Sequence, residues 1–247
     1  MNEFQIKSEL KNNYEHYYES GDSEWRRLGA LGKARNIVSL CNGIPATSVL
    51  EIGAGEGSVL QRLSEVDFGK KLFAVEISSS GVATILRKKI KRLVDCQIFD
   101  GYSIPYKDNE FDLAILTHVV EHVEHPRHLI YEASRVARNL FIEVPLEDTV
   151  RLPVDFISDP VGHINYYSPK TIRRLLQSCD LRILQQVTCN PGKETYSFQK
   201  GAKGLFNYYT KELLLRSIPR LATQIFTYHA ALVCERRTPH IALSAEV

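Results

Sequence analysis

Apolar and polar positions along this chain switch repeatedly between two periods. Short apolar runs bounded by glycine, proline or charge alternate with stretches whose apolar residues recur every three or four positions. The first pattern predicts buried strands and the second amphipathic helices. "SVLEI" is a strand, followed by a helix stripe at Val59, Leu60, Leu63 and Val66. "KLFAVEI" is a second strand, with Val82, Ile85, Leu86, Ile90 and Leu93 marking the next helix, and "VDCQIFD" is a third, weaker strand. "FDLAILTH" is a strong fourth strand, and a helix opens at Pro126 with a stripe at Leu129, Ile130, Ala133, Val136 and Ala137. Proline suits the first helical position because its missing N–H is not needed there. "LFIEVP" is the fifth strand. Ser168-Pro169 has the form of an N-cap and first-turn proline before Ile172, Leu175 and Leu176. "LRILQQVTC" and "IFTYHAALVCERR" alternate as strands do and predict a closing antiparallel pair. Upstream, helical spacing links Leu10, Tyr14 and Tyr17, then Trp25, Leu28, Leu31, Ala34, Val38 and Cys41, before Gly43 and Pro45 break the chain.

Strands and helices alternating at this pace imply an α/β fold with a doubly wound, mostly parallel sheet. The expected organisation is one domain over residues 1–247, with a helical cap (1–44), a core (45–190) and a last strand (226–237). Two stretches fall outside the alternation. Residues 146–167 are long for a loop, and residues 191–222 hold a Gly/Lys-rich link and then an apolar helix. Both follow strands on the side where open α/β sheets bind ligands, so they are the expected substrate cover.

Composition narrows the function classes. Hydrophobic residues make up 44% and the formal net charge is +2, so no global polycation exists to hold nucleic acid by counterion release. No signal peptide or membrane span is expected from the sequence. The five cysteines are scattered without CxxC spacing, which argues for a reducing, cytoplasmic setting and against a zinc site.

The chemistry centres on "VLEIGAGEGSVL", Val49 to Leu60. Glycines at 53, 55 and 57 allow unusual φ values and let a ligand lie on bare backbone. The dinucleotide fingerprint would place its third glycine at position 58, where Ser58 stands, and no Gly-Lys-Ser/Thr follows as in a P-loop. Acids complete the picture. Glu76, 19 residues after Gly57, ends the second strand, where a carboxylate accepts from ribose hydroxyls. Asp100 ends the third, in reach of an exocyclic amine, and Glu51 is placed to hold a cationic amino-acid moiety. A ligand with adenosine and ammonium groups but no phosphate fits: S-adenosylmethionine.

On these blocks the chain resembles the class I S-adenosylmethionine-dependent methyltransferases, of the broad group containing ubiquinone-biosynthetic and small-molecule enzymes. "VLEIGAGEG", "FAVEIS", "IFDGYSIPYKDNEFDLAILTHVVEHVEHP" and, more weakly, "GHINYYSPKTIRRLLQSCDLRIL" carry the likeness, over about residues 46–184. The resemblance implies a Rossmann-like sheet of seven strands with a reversed last strand. It implies cofactor contacts by Glu51, Gly53, Gly55, Glu76, Ile77, Asp100, Gly101 and Thr117. By likeness to the family's amino-terminal helices, Tyr14 and Tyr18, with Tyr17, close over the cofactor or form a plain apolar stripe.

Methyl transfer to a hydroxyl needs the acceptor aligned and its proton removed, a task for histidine. His118 directly follows the fourth strand and is the first candidate base or acceptor-positioning group; His163, in "VGHINYY", is the second. His122 matches the family's "EH" block and reads as structural, while His125 and His128 read as a solvated loop and helix face. No carboxylate-histidine set has clear ligand spacing, so no metal is expected. Tyr166 and Tyr167 line an acceptor pocket or the core. "RKKIKR" (Arg87 to Arg92) reads as a solvated face, without interleaved aromatics for stacking bases. The expected activity is methylation of an oxygen or nitrogen on a small-molecule acceptor such as a secondary metabolite, glycan precursor or lipid-like intermediate. The alternatives are an RNA or protein methyltransferase and a non-catalytic cofactor-binding scaffold. The apolar helix near 205–218 serves a homodimer as readily as a pocket.

Overall fold

The computed structural model describes residues 15, 24–156 and 162–237. Tyr14, Tyr17 and Tyr18 lie outside the described residues. In chain order the elements are α1 (Glu24–Leu40), β1 (Ser48–Ile52), α2 (Ser58–Glu65), β2 (Lys71–Glu76), α3 (Ser79–Arg87), β3 (Leu93–Ile98) and β4 (Phe111–Thr117). There follow α4 (Pro126–Val136), β5 (Ala137–Leu146), α5 (Pro169–Gln177), β6 (Leu181–Cys189), α6 (Lys193–Ser217), α7 (Pro219–Ile225) and β7 (Tyr228–Arg236). The seven strands form one sheet in the order β3-β2-β1-β4-β5-β7-β6. Only β7 runs against its neighbours, and it lies between β5 and β6. Its amino end therefore joins the carboxyl ends of the other strands, with Pro145 and Cys189 both opposite His229.

Alternation along the strands sorts side chains onto two faces. Val49, Ala74, Leu113, Ile115, Phe141, Ala231 and Val233 pack with α1, α2 and α3. Leu50, Val75, Ala114, Leu116, Leu140, Ile142 and Leu232 pack with α4, α5 and α7. Burial on both faces explains why β4 and β5 read as continuous apolar runs. Local signals set the helix starts. The Ser78 side chain accepts from the Gly81 N–H at α3, and Ser168 and Thr171 form a capping box at α5. Proline occupies the first turn of α4, α5 and α7.

Four sequence expectations need correction. Ile90 and Leu93 lie past α3, which ends at Arg87, and Leu93 opens β3. Ala137 is the first residue of β5, with φ −134° and ψ 143°, so α4 passes into the strand without a loop. In α1 the buried face is Ala30, Ala34, Ile37 and Leu40, while Trp25 and Val38 are exposed. That face packs on the sheet with Val49, Leu113 and Ile115, while the opposite side of the helix approaches α6, Gly32 lying against Gly192. The Gly/Lys-rich link is also helical: α6 begins at Lys193 and kinks at Lys200 and Gly201, where Gly201 has φ 53°. Among the described residues, no helix is long and apolar enough to cross a membrane.

Candidate functional site

Glu51, Glu76 and Glu143 share strand parity with Val49, Ala74 and Phe141, so all three point to the face covered by α1, α2 and α3. All three are buried and lie toward the carboxyl edge of the sheet. Around them the site has two halves.

The first half is the glycine loop. Gly53, Gly55 and Gly57 have φ of 70°, 58° and 80°, a region costly for residues with a Cβ. Space is as tight as conformation: a Cβ on Gly53 would sit 2.7 Å from Val119 Cγ2, and one on Gly57 2.9 Å from Ile85 Cγ1. The Gly55 N–H donates to Glu76 Oε2 at 2.8 Å, while Glu76 Oε1 accepts from the Ser78 N–H (3.1 Å) and hydroxyl (2.9 Å). A carboxylate offers about four acceptor sites, so Glu76 anchors the loop as well as facing any ligand. Burial raises its pKa against these hydrogen bonds. Gly81 closes the arrangement, since a Cβ there would lie 2.7 Å from Gly55 O and 2.8 Å from Glu76 Cγ. Glu15 accepts from the Ser79 and Ser80 N–H groups at the start of α3, which holds its carboxyl down at about 2 despite some desolvation.

Glu51 is different. Its Oε2 is buried without a hydrogen-bond partner among the described residues. Burial pushes its pKa up to about 8, against the opposing charge of Lys33. An orphaned carboxylate beside bare backbone is a natural seat for a cationic ligand group. Asp100 lies exposed after β3, its Oδ1 accepting from the Tyr102 and Ser103 N–H groups at 2.9 and 2.6 Å, next to Gly101 with φ 96°. Ile77 is half-buried against the core, and Thr117 ends β4 opposite Glu143. The orphaned acid, the glycine cradle and the acids ending β2 and β3 fit an adenosine-bearing cation.

The second half is imidazole and carboxylate. His118 leaves β4 in the left-handed region, φ 59°, a conformation unusual for a residue with a side chain. Its N–H still donates to Glu143 O at 2.8 Å. Its Nε2 lies 3.3 Å from His229 Nδ1 and 3.6 Å from Glu143 Oε1, and His229 Nδ1 lies 3.0 Å from the same oxygen. Burial alone would raise the Glu143 carboxyl, but the two imidazoles hold it well below the usual carboxylate range. Burial, reinforced by His118, pushes His229 down. Asn36 of α1 donates to Glu143 Oε2 at 2.8 Å, and Glu121 Oε1 lies 3.2 Å from His118 Nδ1. Val119, against Gly53, ties this cluster to the glycine loop.

His163 belongs to an adjoining group with Glu121 and His122, and its Nδ1 meets Glu147 Oε2 at 2.7 Å. His122 Nδ1 lies 3.1 Å from Gly162 O, in keeping with a structural role. His125 and His128 pack against the Tyr102 ring at 5.8 and 5.7 Å between centroids. Tyr167 is core, and Tyr166 donates to His163 O. The basic run is less solvated than expected: Lys88 pairs with buried Glu56, and Arg92 with Asp67. Sequence reasoning missed Asn36, Glu121, Glu143 and His229. The signal for Glu143 and His229 is an acid or histidine inside an apolar strand, as in "LFIEVP" and "TYHAALV"; Asn36, in α1, and Glu121, in the turn after β4, carry no such signal.

Residues 19–186 match the methyltransferase domain family. The uncharacterized protein MJ1123 of Methanocaldococcus jannaschii is 32% identical over 127 residues, 51% of this chain; the match spans just over half of that relative, 57%. Magnesium protoporphyrin IX methyltransferase from Synechocystis, solved with bound SAH, shares the fold at TM-score 0.62 and 15% identity, over 94% of this chain and all of the other. A SAM-dependent methyltransferase from Aquifex aeolicus aligns at TM-score 0.56 and 16% identity, over 88% and 97%. The [4+2]-cyclase SpnF aligns at 0.60 and 17%, over 83% and 80%, so the fold alone does not fix the reaction. With the family match over most of the core and this sheet order, the chain belongs to the methyltransferase domain family, on the fold of the S-adenosylmethionine-dependent enzymes.

Proposed function

We propose that this chain transfers a methyl group from S-adenosylmethionine to an oxygen or nitrogen of a small-molecule acceptor. The observation that carries the reading is Glu51 beside the glycine loop, its Oε2 buried without a hydrogen-bond partner among the described residues, with the His118–Glu143–His229 cluster on the same sheet face. Glu51 would hold the ammonium group, Glu76 the ribose, and Asp100 the adenine amine, with Gly53 and Gly55 giving the ligand direct access to backbone. When bound, the cofactor supplies a methyl group on a sulfonium, which goes to the acceptor atom and leaves a thioether. His118 accepts or orients the acceptor's proton, and Glu143 fixes His229 behind it.

An open cleft of about 480 Å³ between α1 and α6 is lined by Leu28, Phe198, Leu205 and Tyr209 together with Lys193, Glu194 and Ser197. Exposed Phe206 and Leu213 extend the apolar surface of α6. The test is transfer of labelled methyl from S-adenosylmethionine into a cell extract, followed by separation by size. Label in small molecules is the expected result. Label in RNA or protein overturns the acceptor class while leaving the cofactor assignment standing.

A further inference from the structure

We propose that His118 Nε2, His229 Nδ1 and Glu143 Oε1 form a site for one divalent transition-metal ion, opening toward the acceptor. The three atoms come from β5, β7 and the residue that follows β4, and form a triangle with edges of 3.0, 3.3 and 3.6 Å. Ligands bonded at about 2.0–2.1 Å stand about 3.0 Å apart in octahedral geometry and about 3.4 Å apart in tetrahedral. The circle through the three atoms has a radius of about 1.9 Å, so an ion about 0.8 Å out of their plane reaches all three at normal bond length.

Hydrogen bonding accounts poorly for this convergence. If both imidazoles donate to Glu143 Oε1, their two N–H groups are crowded against each other, with His118 Nε2 and His229 Nδ1 only 3.3 Å apart. A cation satisfies all three at once. The surroundings are those of metal ligands, whose second atoms are held by outer partners. Glu143 Oε2 is held by Asn36 at 2.8 Å, and His118 Nδ1 faces the Glu121 carboxylate at 3.2 Å. The side chains of His118 and His229 are 20% and 16% exposed, against 1% for Glu143, so the open coordination positions face outward from the sheet edge. Two imidazoles and one carboxylate with open positions suit Fe(II), Mn(II), Co(II) or Zn(II).

What the ion does rests on the methyltransferase reading: it would ligate the acceptor's oxygen and lower the pKa of its hydroxyl, so that His118, as a ligand, orients the acceptor through the ion. Ion binding itself does not rest on that reading.

The experiment is titration of chelator-treated full-length protein with Co(II), read by visible d–d absorption, with Zn(II) competition. The expected result is one equivalent bound, abolished in Glu143→Gln and His229→Gln, weakened roughly 10–100-fold in Asn36→Ala, and retained in His163→Gln. X-ray absorption of the zinc form should show two imidazoles and an oxygen both in wild type and in His163→Gln. Because Glu121, His122 and His163 offer the same ligand set, persistence of the signal in His163→Gln is what assigns it to His118, Glu143 and His229 if the other variants fail to melt cooperatively. No binding by folded wild type, sulfur in the coordination shell, or loss in His163→Gln alone overturns the site. Calorimetry with S-adenosylmethionine, run separately, distinguishes a failed metal site from a failed methyltransferase reading.

Discussion

Replacing Glu51 by glutamine should move stability and ligand affinity in opposite directions. The folded carboxyl keeps its proton up to about pH 8, while the unfolded one releases it near 4.5. The unfolded state therefore binds fewer protons between these values, and wild-type stability falls as pH rises through that window. At pH 7 the cost is about 3 kcal/mol, from roughly 2.5 units of unfolded-state ionisation at about 1.4 kcal/mol each. Glutamine ionises in neither state and keeps the shape. The ligand-free variant should gain up to about 3 kcal/mol at pH 7, a rise of several degrees in Tm at about 2–4 °C per kcal/mol, and almost nothing near pH 4. Loss of a charge-assisted hydrogen bond should weaken S-adenosylmethionine binding by about 1.5–3 kcal/mol, roughly 10–150-fold in Kd. Calorimetry in buffers of different ionisation enthalpy adds a third readout: wild type should release close to one proton on binding at pH 7, and Glu51→Gln none. Equal Kd in the two proteins, or no proton release by wild type, would refute the assignment of Glu51 to the cationic group.

Gly81→Ala places a methyl group against Gly55 O and Glu76 Cγ, so cofactor Kd should rise about tenfold or more through the displaced loop. An unchanged Kd by calorimetry would show that the loop and α3 move independently. His118→Ala should lower turnover by about 10²–10⁴ while cofactor Kd changes only a few-fold; full turnover in a steady-state assay would transfer the role to His163.

The cofactor half was legible because it is local. Gly53, Gly55 and Gly57 lie in one turn, and the strand-helix period around them fixes where Glu76 and Asp100 fall. The strands, the helices and the closing antiparallel pair followed from alternation, since both periods are set by which face is buried, whereas the reversed last strand came from the resemblance and the insertion of β7 between β5 and β6 had no sequence signal. The acceptor half resisted the same treatment. Glu143 and His229 sit in apolar runs 86 residues apart, and only pairing across β5 and β7 joins them to His118. Their spacing matched no ligand pattern because three strands, not one segment, bring them together. In α1, Trp25 and Val38 drew the stripe round the helix; the face that packs on the sheet is Ala30, Ala34, Ile37 and Leu40, two of them too small to stand out in the apolar pattern.

The reversed insertion of β7 gives the two halves of the site different histories during folding. The loop, β1, β2 and β4 draw on chain between Val49 and Val119, so the nucleotide side needs only short closures. The acceptor side requires His229 to reach His118 across 111 residues and Asn36 to reach Glu143 across 107, with a strand threaded between two others. Such long-range pairings close late. A chain emerging from the ribosome thus carries the Gly53–Gly57 loop and the carboxyls of Glu51 and Glu76 well before His118, Glu143 and His229 can meet.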